Sequence, residues 1–187
     1  MITLDENHVY HDGAGVQIPG VTNIIKDAGL MGDTSFYDDY SRDRGAAVHL
    51  ATALYDRNDL VEYSLDPVIV PYLDGWKKFR HESGLKVDAA EMIVASELGY
   101  AGTLDRTGEI DGRRVLLDIK TGAVQPWTAI QTAAYERCLD YAASLRLAVE
   151  QHADGTYKTF EYQDTTDWQV FCGALAIHNW KKNKGIK

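Results

Sequence analysis

Asp105, Asp118 and Lys120 are the residues whose types and spacing could do chemistry in this chain. They flank Asp111-Gly112, a pair that lies between two apolar-rich runs and predicts a two-residue β-hairpin turn. Such a turn sets Ile110 opposite Arg113 and Glu109 opposite Arg114. Counting outward, Asp105 then faces Asp118, and strand alternation puts Lys120 on the face of Asp118. Two facing carboxylates stand roughly 5 Å apart at Cβ and repel each other. A divalent cation removes that repulsion and turns the pair into a ligand set. The plain alternative is a solvated strand face, with Lys120 pairing one acid and Asp105 capping a strand end. The opposite face of the hairpin, Leu104, Ile110, Val115, Leu117 and Ile119, is predicted to be a core face.

The elements around this hairpin follow from periodicity and turn chemistry. Val9-Tyr10 and Val16–Ile18 predict a short antiparallel pair about Asp12-Gly13, and Thr22 a helix cap, with that helix running through Ala28 and ended by Gly29. A helix is expected from Phe36 to Arg57. Val48, Leu50, Leu54 and Tyr55 make its apolar ridges, and His49 shares another face with Gly45, Thr52 and Asp56. A further helix from Val68 to Ser83 closes at Gly84, and a strand spans Glu91 to Leu98. Pro126 and the Thr128-to-Gln131 spacing predict a helix start with a capping box, the helix running to Leu145. Leu147–Gln151 and Tyr157–Tyr162 predict a second hairpin about Asp154-Gly155, followed by a helix from Thr166 to Lys182. The Asp118 strand, crossover helix and Leu147 strand make a parallel βαβ unit. The fold class is α/β, with the sheet covered on both faces.

Composition narrows the classes. With 187 residues, one domain with a substantial core is expected. No apolar run is long enough to span a bilayer, and Met1 to Tyr10 carries Asp5 and Glu6 without an apolar core, so neither membrane insertion nor a signal peptide is expected. Two cysteines, Cys138 and Cys172, fall in helical stretches and read as buried cytosolic thiols. They cannot hold a four-cysteine iron–sulfur cluster. A net charge of −9 argues against nucleic acid as a partner, although metal binding by several acids would neutralise part of it. Lys181, Lys182, Lys184 and Lys187 either touch a phosphate backbone or complement a helix end. Trp76, Trp127, Trp168 and Trp180 are expected in the core. The remaining histidines, His8, His11, His81, His152 and His178, have no mutual ligand spacing.

Four segments in order carry a resemblance: Arg44-Gly45-Ala46-Ala47-Val48-His49, Gly102-Thr103-Leu104-Asp105, Asp118-Ile119-Lys120-Thr121-Gly122 and Gln131-Thr132-Ala133-Ala134-Tyr135. Pro19-Gly20-Val21-Thr22 resembles the opening of the same domains. The chain is thereby similar to the PD-(D/E)XK nucleases, in their RecB-like and phage recombination exonuclease branch. The resemblance implies a restriction-endonuclease-like core, a central mixed β-sheet flanked by helices on both faces. It implies one domain over 1–187, with a helical part over about 20–84, a catalytic sheet over about 91–162 and a terminal helix over about 166–182.

The resemblance also implies a site. Asp105 and Asp118 would be carboxylate ligands of one or two Mg²⁺ or Mn²⁺ ions, joined by the Ile119 backbone carbonyl and by His49. Lys120 would orient the attacking water and offset phosphate charge. Gln131 and Tyr135, four apart on one helical face, would frame the site. Glu97, at a strand end, either supports the metal shell through water or is a surface residue. Arg42, Arg44 and Arg106 are candidates for phosphate contact, or plain surface charges. Glu109 and Arg114 read as a cross-strand pair. The implied activity is a deoxyribonuclease of phage or prophage type, an exonuclease in DNA recombination or processing, acting in the cytoplasm of a bacterium or infected host. DNA is the implied partner, a single-strand annealing protein another, and oligomers are compatible. The alternatives are a structure-specific endonuclease and a non-catalytic nucleic-acid-binding protein on a nuclease fold.

Overall fold

The computed structural model describes residues 1–32 and 38–186. Three two-residue strands, β1 (Thr3–Leu4), β2 (Tyr10–His11) and β3 (Gln17–Ile18), make a small antiparallel ribbon. Helix α1 (Val21–Asp27) follows, then α2 (Asp39–Asp56) and α3 (Val70–Ser83). The main sheet is β4 (Lys86–Ser96), β5 (Tyr100–Ile110), β6 (Arg113–Lys120), β7 (Leu145–Gln151) and β8 (Tyr157–Tyr162), in that spatial order. Helix α4 (Trp127–Glu136) links β6 to β7, and α5 (Thr166–Lys184) ends the chain. Every neighbouring pair in the sheet is antiparallel except β6–β7, which is parallel. The α/β class, the mixed sheet and the βαβ crossover are as expected.

The sheet divides two cores. On one face α1, α4 and α5 bury Ile24, Ile25, Ala134 and Phe171 against Tyr100, Leu104 and Leu116. On the other, α3 buries Trp76 and Phe79 against Val115, Leu117, Ile119 and Val149. Successive β6 residues alternate between these cores, as a twofold side-chain period requires. Leu104 departs from the face expected for it, joining Leu116 rather than Leu117. A third cluster, with Val48, Ala51, Ile69 and Tyr72, binds α2 to α3. Asp38 caps α2 by accepting from the Ser41 amide at 2.8 Å.

The central hairpin forms as predicted. Asp111 and Gly112 have φ of 49° and 74°, the double left-handed turn whose twist matches flanking strands. Ile110 pairs with Arg113 and Glu109 with Arg114. Their charges pair elsewhere, Glu109 with Lys86 and Arg114 with Asp88.

Other boundaries move. The expected helix start at Phe36 lies outside the described residues. Thr22 does not cap α1, which begins at Val21 behind Gly20, two residues before a helix capped by Thr22 would start. Helix α4 ends at Glu136 instead of Leu145, because Leu145 opens β7 opposite Val115 and the Ser144 amide donates to the Arg114 carbonyl at 2.9 Å. No capping box forms there, since Gln131 turns its side chain to Lys120 and Tyr135. Cys138 falls in the turn after α4, and both cysteines are free and half-buried. Trp180 is exposed on α5, whereas Trp76 is fully buried. No helix among the described residues is long and apolar enough to cross a membrane.

Candidate metal centre

Three acids stand in a row across three strands where the backbone ladders break. Between β4 and β5 the pairs Ala90–Arg106 and Met92–Leu104 flank Glu91 and Asp105, which are not themselves a ladder pair. Between β5 and β6 the ladder stops at Arg106–Leu117, one step short of Asp105 and Asp118. Glu91 has φ of 52°, a left-handed backbone unusual for a glutamate. Asp105 Oδ2 accepts the Ile119 amide at 2.5 Å, so a carboxylate occupies a donor that a strand neighbour would otherwise take.

Helix α2 brings the fourth group. Gly45, His49, Thr52 and Asp56 form the face expected from their spacing, and that face meets the sheet. A Cβ on Gly45 would lie 3.5 Å from Thr121 Oγ1, so the helix approaches the end of β6 closely. His49 Nδ1 lies 3.4 Å from Asp105 Oδ1 and 3.5 Å from Glu91 Oε1. Its Nε2 lies 3.1 Å from the Ile119 carbonyl oxygen. Ligand atoms of His49, Glu91 and Asp105 all fall within 4.8 Å of one another.

Beside this set lies Lys120. Its Nζ sits 2.7 Å from Asp118 Oδ2, donates to Gln131 Oε1 at 3.1 Å and lies 5.1 Å from the Trp127 ring centroid. Gln131 Nε2 donates to the Tyr135 hydroxyl at 3.0 Å. The Tyr135 ring fits only because residue 102 is glycine: a Cβ there would come 2.4 Å from Tyr135 Cε1. The Gly-x-x-Asp segment thus pairs an acid with the gap that seats the tyrosine.

The electrostatics set one imidazole among carboxylates. Burial alone would lower the His49 pKa, but Asp105 and Glu91 outweigh it and push it up to about 10. Burial raises the Asp105 carboxyl, yet His49 and Lys120 beside it hold it below the usual value. Burial and Asp105 push Asp118 up, against the pull of Lys120. Thus one imidazole faces two carboxylates and a carbonyl, with a positive charge drawn in among them. The donor set of imidazole, carboxylate and carbonyl suits Mn²⁺ or Mg²⁺. His49 meets the carboxylates through Nδ1 and the Ile119 carbonyl through Nε2, so the two ring nitrogens face different members of the set.

Several residues fall elsewhere than expected. Asp118 is held by Lys120 and stands apart from the His49, Glu91 and Asp105 set. Glu97 lies past the end of β4, in a cavity with Arg137, Cys138 and Trp168, so it is not the acid that this region contributes. That acid is Glu91. The signal for it was the Leu98-Gly99 turn: Ser96 pairs with Tyr100, and counting back sets Glu91 opposite Asp105. Arg106 cannot meet phosphate, because it is fully buried and bound to Asp56 and Glu91. Arg42 is exposed and paired with Asp39. Arg44 lies near the end of β6, its Nη2 3.4 Å from the Thr121 carbonyl, between the Tyr40 and Tyr72 rings.

Neither a protein-family model nor a curated protein matches the chain. Among solved structures, LHK-Exo in complex with dAMP is 14% identical over 90% of this chain and 93% of that chain, with a TM-score of 0.39. An alkaline exonuclease (LHK-Exo) from Laribacter hongkongensis is 15% identical over 88% of this chain and 86% of that chain, with a TM-score of 0.35. Likeness of this degree assigns the chain neither a family nor an activity.

Proposed function

We propose that the chain is a Mg²⁺- or Mn²⁺-dependent deoxyribonuclease that hydrolyses phosphodiester bonds, an exonuclease of the phage or prophage recombination type. One observation carries the reading: a lysine fixed by an aspartate at 2.7 Å and a glutamine at 3.1 Å stands beside a His–Glu–Asp set suited to a divalent cation. The resemblance of the four sequence motifs agrees with it. Its biological setting, by the same resemblance, is cytoplasmic DNA recombination alongside a single-strand annealing protein.

His49, Glu91, Asp105 and the Ile119 carbonyl would hold the ion, with Asp118 as the further aspartate that the resemblance implies. A bound divalent cation would supply Lewis-acid neutralisation of phosphate charge and a lowered water pKa. Lys120 is the group that meets the reacting phosphate. Its ammonium offsets charge developing on phosphate oxygens and orients the attacking water. Asp118 pairs with that ammonium and aims it, and Gln131, held by Tyr135, fixes its direction. Arg44, at the mouth of the site near Thr121, is the arginine suited to a backbone phosphate.

The test is cleavage of linear and covalently closed circular DNA by the protein and its Lys120→Ala variant, with Mg²⁺, Mn²⁺ or EDTA. Loss of linear DNA alone is expected, abolished by EDTA and slowed by about 10²–10⁴-fold in the variant. Nicking of closed circles would make it an endonuclease. Undiminished cleavage by Lys120→Ala would sink the mechanism, and no cleavage by the folded wild type would leave a binding protein.

A further inference from the structure

We infer that Arg106 is a positioning residue for the candidate metal centre, holding the Glu91 carboxylate toward His49 and Asp105 from inside the fold. The inference rests on the metal-centre reading above. Arg106 has no exposed surface, and it donates four hydrogen bonds to partners from three elements. Nε donates to Asp56 Oδ2 at 2.6 Å and Nη2 to Thr52 Oγ1 at 2.9 Å, both on α2. Nη1 donates to Glu91 Oε1 at 3.0 Å, on β4, and to the Asp105 carbonyl at 2.6 Å, on its own strand. The Trp76 ring, 5.4 Å from the guanidinium carbon, closes it off from α3.

Folding alone accounts for part of this. A buried guanidinium needs a counter-charge, and Asp56 supplies it. The contact with Glu91 goes further. Glu91 is partly exposed, sits outside the strand ladder and has a left-handed backbone, so regular sheet geometry does not aim its side chain. The oxygen that accepts from Arg106 is the one that lies 3.5 Å from His49 Nδ1. Thr52 and His49 are three residues apart on α2, one helical turn. Arg106 therefore spans the gap between the helix that carries the imidazole and the strand that carries the glutamate. A planar fork can make these contacts together, whereas a lysine at 106 keeps the charge but not the reach to all of them.

The experiment measures Mn²⁺ affinity by titration calorimetry on metal-stripped protein without DNA, for the wild type, Arg106→Lys, Glu91→Gln and the double variant. Arg106→Lys is expected to weaken binding about tenfold, the scale of an outer support to a metal ligand. The double variant is expected to bind no more weakly than Glu91→Gln alone, because Arg106 acts through Glu91. Unchanged affinity in Arg106→Lys, or losses that add in the double variant, overturns the inference. Should circular dichroism show Arg106→Lys unfolded, Thr52→Val removes the Nη2 acceptor, together with the hydroxyl's bonds to the Val48 and His49 carbonyls, and the Glu91→Gln background separates the two effects. It must then weaken Mn²⁺ binding in the wild type and not in Glu91→Gln, and any other pattern overturns the inference. A wild type that binds no Mn²⁺ removes the metal centre itself, and the inference with it. That result is distinct from a wild type that binds while Arg106→Lys binds equally well.

Discussion

His49 can carry a proton or a metal, and the two compete. Its pKa, raised to about 10 by Asp105 and Glu91 against burial, makes the imidazolium the metal-free form at neutral pH. A raised folded pKa stabilises the fold fully below the unfolded value, and the benefit is lost as pH rises through the folded value. For His49 that window runs from 6.5 to about 10. A ligating imidazole must shed its proton. Mn²⁺ binding near neutral pH should therefore release close to one proton and strengthen with pH by up to about tenfold per unit. Calorimetry in buffers of contrasting ionisation enthalpy reads the release, and none at all would put His49 outside the ligand set. Asp118 is also raised above its ordinary value of 3.8, by burial and by Asp105. Its protonated form stabilises the fold at low pH, and that contribution is lost as pH rises through the raised value. Asp118→Asn should then gain thermal stability on the wild type as pH goes from about 4.5 to about 7.5 in EDTA, while losing cleavage. A stability difference that stays flat with pH would mean that Asp118 is not strained by its burial.

At the scale of elements, the site is a meeting of α2 and α4 with the end of β6. The fit of α4 depends on Gly102, where a Cβ would approach Tyr135 Cε1 to 2.4 Å. Gly102→Ala should cost about 1–3 kcal/mol by overpacking and slow cleavage by releasing Gln131 from Lys120. Adding Tyr135→Leu should restore the melting temperature and not the rate. Recovery of both would deny the Tyr135–Gln131–Lys120 chain any part in activity. The hairpin that carries Asp105 and Asp118 was legible because its register is set by two adjacent residues, Asp111 and Gly112. The end of α4 was not, because Leu145 is claimed by pairing with Val115, thirty residues away in sequence. Glu91 can be counted from the Leu98-Gly99 turn, because the register shift between Val87 and Ala89 lies beyond it, but its left-handed φ leaves no pattern in side-chain types. Arg106, next to an acid of the site, reads as a phosphate contact in one dimension. Its burial is decided by Asp56, which lies 50 residues earlier.

The whole molecule carries a net charge of −9, a poor match to a polyanion. Under the proposed function, attraction to DNA is local, at the His49, Glu91 and Asp105 set, Lys120 and Arg44. DNA affinity should fall at least about tenfold when EDTA replaces a divalent ion, as read by fluorescence anisotropy at low salt. Equal affinity in EDTA would point to a basic surface elsewhere, such as the lysines at the end of α5. The ribbon of β1, β2 and β3 has a different bearing on how the molecule behaves. Beyond Arg106 the ladder to β6 has ended, and the Tyr100 end of β5 would present open backbone on that side. Pro19 and Gly20 lie along it instead: the Ala101 amide donates to the Pro19 carbonyl at 3.0 Å, Gly20 bridges Ala101 in parallel, and the Tyr10 hydroxyl meets Thr103 Oγ1 at 3.0 Å. An uncovered strand edge is a template for another chain. Removing residues 1–20 should therefore make the protein self-associate through β5, with dye-binding cross-β aggregates appearing below its melting temperature.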